Sequence, residues 1–315
     1  MKPGSRRGAS PGGLRQELDW GSIAPLGLRA RAVADGAYTG VHRSARKGAG
    51  VEFGGHRNYV PGDDLRWLDR HALMRHSRLV VRQFETETER HVHLLLDATA
   101  SMGYRSEHAP AAKLAYAALL AAALGYVATK ERDPVGLGWI GGADVESLPA
   151  RAGSDDFERL LATLERAQAS GADAAGVASW QEALRPLGER SPRGSVLVVF
   201  SDLMDIPSPA ADELARVATR SRKIVLVRVL DPAEADFPFE GPLRLRSPEG
   251  SQLVETDGGR ARRGYLEALQ RISDEWSQRL LPRGGSVLTV VTRDDPVRAL
   301  RRVLGAIAGN EGEVT

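Results

Sequence analysis

An apolar run that stops at a carboxylate constrains this chain more than any other feature. In His91-Val92-His93-Leu94-Leu95-Leu96-Asp97-Ala98-Thr99-Ala100-Ser101-Met102, Val92, Leu94 and Leu96 alternate with His91, His93 and Leu95 before Asp97 ends the run. That is the pattern of a mostly buried strand. In open α/β sheets, ligands bind in the crevice beyond the carboxyl ends of such strands. The loop here carries Asp97, Thr99 and Ser101 at alternate positions, followed by an alanine-rich helix. A hard cation such as magnesium takes oxygen ligands in near-octahedral geometry and keeps several waters. One carboxylate and two hydroxyls on a single turning loop can supply half such a shell. The plainer use of the same residues is a helix cap, where Asp, Ser and Thr are favoured.

A second strand-end acid follows at Ser201-Asp202, directly behind the apolar run Val196-Leu197-Val198-Val199-Phe200. The pattern Asp-x-Ser/Thr-x-Ser after an apolar strand resembles the metal-ion-dependent adhesion site of von Willebrand factor A (vWA) domains. The resemblance implies two further ligands on later loops, an aspartate and a threonine. Asp202 matches the aspartate. The threonine loop corresponds to Ser170-Gly171-Ala172-Asp173, where Ala172 stands in place of the hydroxyl and Asp173 lies beside it. The implied metal set is therefore Asp97, Thr99, Ser101, Asp202 and Asp173, holding Mg2+ or Mn2+ weakly. Asp97, Thr99, Ser101 and Asp202 are expected to cluster at one edge of a parallel sheet.

Strands and helices alternate along the rest of the chain. Val135–Ile140 and Val145–Leu148 read as strands around a Gly141-Gly142 turn, and Ile224–Leu230 and Val287–Thr292 as later strands. Asp155 and Glu158 read as a capping box, and Ser208-Pro209 as a helix start. Tyr265, Leu269, Ile272, Trp276 and Leu280 recur at helical spacing. Such alternation predicts an α/β fold with a doubly wound, mostly parallel sheet and helices on both faces.

Composition narrows the function. Cysteine is absent, which removes disulfides, thiolate metal sites and a cysteine nucleophile and suits a cytoplasmic protein. Residues 1–90 carry 16 Lys and Arg against 10 Asp and Glu, and the remainder 27 against 31. No aromatic-interleaved basic motif accompanies that excess, so no nucleic-acid partner is expected. The most apolar run, Leu114–Ala128, falls short of the roughly twenty residues that span a bilayer, and no integral membrane segment is expected. Arg6 and Arg7 precede no apolar core, so the start does not read as a signal peptide. All seven histidines lie between His42 and His108, without zinc-ligand spacing.

The segment ahead of the first strand carries a more specific signature. Gly40-Val41-His42-Arg43-Ser44, Glu52-Phe53, Arg57-Asn58-Tyr59-Val60-Pro61-Gly62-Asp63-Asp64-Leu65-Arg66, Leu68-Asp69 and Phe84-Glu85 follow one another in order. The series resembles the motif of a vWA-like bacterial family known as domain of unknown function fifty-eight. Arg70 departs from the family's tryptophan, and Met74-Arg75 stands for its Ala-Arg. Residues 1–13 are rich in Gly, Pro, Ser and Arg and too polar to pack, so a flexible N-terminus is expected over residues 1–20. It is followed by a small basic N-terminal subdomain over 21–90 that carries the family motif and a vWA-like domain over 91–310. Asp63, Asp64, Arg66 and Asp69 read first as an ion-pair set that docks this segment. The resemblance also implies a non-catalytic adaptor with a partial adhesion site, working with a MoxR-type AAA+ ATPase on a client protein.

An enzyme reading competes. Leu94–Ser101 also resembles the nucleophile motif of haloacid-dehalogenase-type, magnesium-dependent phosphotransferases, with Asp97 attacking phosphorus and Asp202 and Asp205 as acids for the metal. That chemistry needs a lysine to hold phosphate, and between the two motifs the sequence has only Lys113 and Lys130, at the first helix or its end. No phosphate-binding glycine loop ending in Lys-Ser/Thr occurs, and no nucleophile elbow.

Overall fold

The computed structural model describes residues 25–38, 52–59, 79–85, 90–171, 180–184, 192, 194–204, 206, 208–218, 222–246 and 253–309. They divide into two units, His42–Glu89 and the remainder of the chain. The smaller unit pairs β1 (Glu52–Asn58) with β2 (Val80–Glu85) in antiparallel fashion, with an irregularity between Phe53 and Gly55. The segment holding Asp63, Asp64, Arg66 and Asp69 lies outside the described residues, as does the N-terminus over residues 1–20.

The larger unit is built on a six-stranded sheet. Its strands are β3 (Val92–Asp97), β4 (Val135–Ile140), β5 (Leu148–Arg151), β6 (Val196–Ser201), β7 (Lys223–Leu230) and, after a separate hairpin, β10 (Ser286–Val291). The order across the sheet is β10-β7-β6-β3-β4-β5, all parallel except β5, which runs antiparallel at the edge. The expected doubly wound, mostly parallel sheet is present. Alternation within the central strands accounts for its two covered faces. Val92, Leu94 and Leu96 of β3 face the same cluster as Val196, Val198 and Phe200 of β6 and Val225, Val227 and Val229 of β7. That face is covered by α1 (Leu26–Tyr38), α2 (Lys113–Lys130), α3 (Ser154–Arg166) and α7 (Pro296–Ala308). Leu95, Leu197, Val199, Ile224 and Leu226 point the other way. They meet the helical residues 180–184, α4 (Ser208–Val217) and Trp276 and Leu280 of α6 (Gly258–Leu280). Helices on both faces let such strands be apolar almost throughout.

Helix α2 is buried around nearly its whole circumference, as an alanine-rich helix with little amphipathic character must be. Among the described residues no helix is long and apolar enough to cross a membrane. Between β7 and α6 lie the short α5 (Pro232–Asp236) and a separate hairpin, β8 (Pro242–Arg246) with β9 (Leu253–Asp257).

Three expectations change. Helix α1 was expected within the basic N-terminal subdomain over 21–90, yet it belongs to the larger unit. Leu26, Ala30, Val33, Ala34 and Ala37 are buried in the main core, and Gly27 and Gly36 let α1 approach Leu161 of α3 and Val297 of α7 closely. An apolar stripe on a helix goes where it can be covered, whatever the charge of the surrounding segment. The strand expected at Val145–Leu148 begins only at Leu148. The capping box expected at Asp155 and Glu158 does not form: α3 starts at Ser154, its N-cap is Gly153, and no side chain caps it.

Candidate functional site at the strand ends

Strands β3 and β6 are neighbours at the point where the winding of the sheet reverses, and both end in acids. Asp97 closes β3, and Ser201 closes β6 with Asp202 directly behind it. The crevice beyond the carboxyl ends of a sheet at such a switch point is where α/β folds bind ligands.

Asp97 is fixed from three directions. Its Oδ1 accepts from the Thr99 backbone N–H at 3.0 Å and from the Thr99 hydroxyl at 2.7 Å. Its Oδ2 accepts from the Ser201 hydroxyl at 2.6 Å, across the β3–β6 seam. The Ser201 oxygen in turn accepts from the backbone N–H of Leu203, a residue held at φ +60°. Thr99 and Ser101 stand with their hydroxyl oxygens 3.2 Å apart, and Ala100–Gly103 continues as a single 3-10 turn. Burial raises the Asp97 carboxyl to about 6, and neighbouring Asp202 adds to the shift against the donors from Ser201 and Thr99.

Asp202 is wholly buried and carries a cation of its own. Its Oδ1 accepts from the Met204 backbone N–H at 3.0 Å, and its Oδ2 from the Lys113 ammonium at 2.8 Å. Lys113 opens α2, and its ammonium also donates to Glu234 Oε1 at 2.7 Å. Burial works against that ammonium, but Asp202 and Glu234 outweigh it, so the Lys113 pKa lies above the ordinary lysine value. Burial likewise raises Glu234 despite Lys113. Arg228 of β7 adds a second buried cation: its Nε donates to the Asp202 carbonyl at 3.3 Å, and its Nη1 to the Leu269 carbonyl and the Ser273 hydroxyl of α6.

Asp231, just past β7, ties the edge together. It caps α5 by accepting from the Ala233 N–H, and Glu234 returns a bond to the Asp231 N–H, a complete capping box. Its other oxygen accepts from the Ser106 N–H in the loop after β3. Lys113, Ser201, Asp231 and Glu234 thus join the cluster, although none of them is singled out by the strand-end pattern. The Asp-Pro-Ala-Glu spacing at 231–234 was a legible capping signal. Lys113 had no comparable signal.

The third loop also reaches the site. The Ser170 N–H donates to the Ala98 carbonyl at 2.9 Å, and the Gly142 N–H to the Ser170 carbonyl at 3.2 Å. Ala172 and Asp173 lie outside the described residues. Gly142 sits at φ +93°, and a Cβ there would stand 2.7 Å from the Ala98 Cβ and 2.9 Å from Val145. Gly142→Ala is therefore expected to destabilise the protein by about 1–3 kcal/mol through strain and overpacking. Urea unfolding measures this, and an unchanged midpoint would show that the turn moves freely.

The described oxygens fit a hard cation in part. Thr99 and Ser101 bring two hydroxyl oxygens to the edge, and Asp97 stands behind them. Asp202, however, has one oxygen on Met204 and the other on Lys113. Among the described residues no three His, Asp or Glu side chains are arranged to cage a metal.

A family model described as protein of unknown function DUF58 matches residues 55–275. Uncharacterized proteins of Mycobacterium tuberculosis (Rv1480) and Mycobacterium bovis (Mb1516) are each 28% identical over 249 residues, covering 78% of this chain and 77% of theirs. Among solved structures, the chain is similar to BatB from Bacteroides thetaiotaomicron, with a TM-score of 0.44 and 14% identity over 70% of this chain and 98% of that one. It is also similar to a von Willebrand factor type A protein from Catenulispora acidiphila, with a TM-score of 0.39 and 15% identity over 75% and 45% of the two chains.

Proposed function

The chain belongs to the DUF58 family, and from that premise we propose that it is a non-catalytic, vWA-like interaction module whose binding edge is the Asp97–Asp202 end of the sheet. The observation that carries this reading is the convergence of Asp97, Thr99, Ser101, Ser201 and Asp202 at the switch point between β3 and β6. In this reading Thr99 and Ser101, with Asp97, Asp202 and Asp173 around them, hold Mg2+ or Mn2+ weakly, and a carboxylate of the partner completes the shell. The partner is a MoxR-type AAA+ ATPase, as the family resemblance implies, and the module works in the cytoplasm as the ATPase's adaptor to a client.

A phosphotransferase would use Asp97 as its nucleophile and a lysine to hold phosphate. Lys113 does reach the cluster, but Asp202 and Glu234 engage its ammonium. Both Asp97 oxygens already accept hydrogen bonds, and the residue is 4% exposed. One acceptor site remains on Oδ2, but attack on phosphorus also needs an oxygen that the substrate can reach, and burial works against that here. Incubation with acyl phosphates is accordingly expected to leave no label on Asp97. Labelled Asp97 would replace the adaptor by the enzyme.

The binding reading is tested by calorimetric titration of wild type, Asp97→Ala and Ala172→Thr with Mn2+ and with the MoxR-type ATPase. Asp97→Ala is expected to weaken both associations at least about tenfold, the loss of one charge-assisted contact of about 1.5–3 kcal/mol. Ala172→Thr is expected to tighten the metal by returning a hydroxyl. Equal binding by wild type and Asp97→Ala would mean that the loop only caps the turn after β3 and that the partner docks elsewhere.

A further inference from the structure

A fully buried ammonium between two carboxylates is an unusual object at the edge of a sheet. Lys113 has no exposed side-chain surface, Asp202 has 1%, and Glu234 has 17%. The lysine starts a helix that is otherwise almost wholly apolar, so packing alone would favour an uncharged residue there. Its Nζ lies 2.8 Å from Asp202 and 2.7 Å from Glu234, which are 32 positions apart in the chain and meet through it.

We propose that the Lys113 ammonium is the resident cation of this cluster, standing between Asp202 and Glu234 where a divalent ion would otherwise bind. A magnesium-type ion held by protein uses one or two carboxylates and fills its remaining positions with water. Asp202 and Glu234 supply that number, and Glu234 supplies the side open to solvent. The ammonium meets the same demand with a single charge and three donors. A divalent ion seeking Asp202 must first displace it. That competition weakens metal binding in the native protein independently of the hydroxyl missing at Ala172.

The inference deepens the reading of the strand ends as a charged binding edge, but its test needs no partner. Free Mn2+ is followed by electron paramagnetic resonance while wild type, Lys113→Ala and Lys113→Ala with Glu234→Gln are titrated. Truncation to alanine leaves room for an ion and its waters and removes a like charge within a few ångströms. At that range a unit charge is worth more than one factor of ten, even at the higher effective interior dielectric. Lys113→Ala is therefore expected to bind Mn2+ at least about tenfold more tightly than wild type, and the added Glu234→Gln to undo the gain. If Lys113→Ala is unfolded without metal, Mn2+ is expected to restore its circular dichroism, since binding to the folded state alone stabilises it. No gain in Mn2+ affinity, no refolding by Mn2+, or a gain that survives Glu234→Gln would each overturn the proposal. Loss of ATPase binding in Asp97→Ala is read separately, so the adaptor reading and the role of Lys113 stand or fall apart.

Discussion

Lys113→Met is expected to lower folding stability by about 3–5 kcal/mol, the usual consequence of removing one partner from a buried ion pair. Methionine matches the lysine stem in length and apolar character, so little packing is lost. The loss comes from buried Asp202 and part-buried Glu234, which then face each other without the ammonium that balances them. A second set of substitutions separates that cause from packing. Lys113→Met combined with Asp202→Asn and Glu234→Gln is expected to recover much of the lost stability, because the uncompensated charges leave together. The three positions share one network, so their effects are non-additive by an amount a mutant cycle reads directly. Urea unfolding of the single and combined variants decides between the two. A triple variant no more stable than Lys113→Met would show that the loss does not come from the charges left on Asp202 and Glu234.

Asp97→Asn is expected to make the protein more stable at pH 8 while impairing whatever binds at the edge. The carboxyl is raised by burial, with Asp202 adding to the effect, from 3.8 to about 6. The folded state thus holds this proton more tightly than the unfolded chain does. The stabilisation from that proton is complete below about pH 4 and is lost as pH rises through about 6, on the order of 2–3 kcal/mol in all. Asparagine is neutral throughout and loses nothing over that window. Its carbonyl can still accept from the Thr99 N–H, and its amide can donate to Ser201, whose oxygen is already an acceptor for Leu203. Glu234 is raised as well, so part of the slope remains in the variant. Unfolding free energies at several pH values between 4 and 8 test the sign. A variant less stable than wild type at pH 8 would show that Thr99 and Ser201 satisfy the ionised carboxylate fully.

Gain in stability on removing a functional charge is a familiar trade at binding sites, where groups are kept for what they recognise. In the reading proposed for this edge that trade falls on Asp97, at the end of a strand whose apolar residues pack in the core.

Much of this architecture was local and therefore legible. The alternation of Val92, Leu94 and Leu96 with Leu95 is a property of a strand's two faces, and the run of strands and helices predicts a doubly wound sheet. Asp97, Thr99 and Ser101 lie within five residues, so their meeting needs only one turn. Asp202 follows a strand as Asp97 does, and parallel neighbours place such ends side by side. What tertiary structure alone decided is the company these groups keep. Ser201 reaches Asp97 across 104 residues, Lys113 reaches Asp202 across 89 and Glu234 across 121. Those contacts depend on β3 and β6 being neighbours and on α2 beginning above their ends. A lysine at the head of an alanine-rich helix looks, by itself, like a solvated helix end. Only the sheet order turns it inward, and electrostatics then keeps it there, because buried Asp202 and part-buried Glu234 both engage the ammonium.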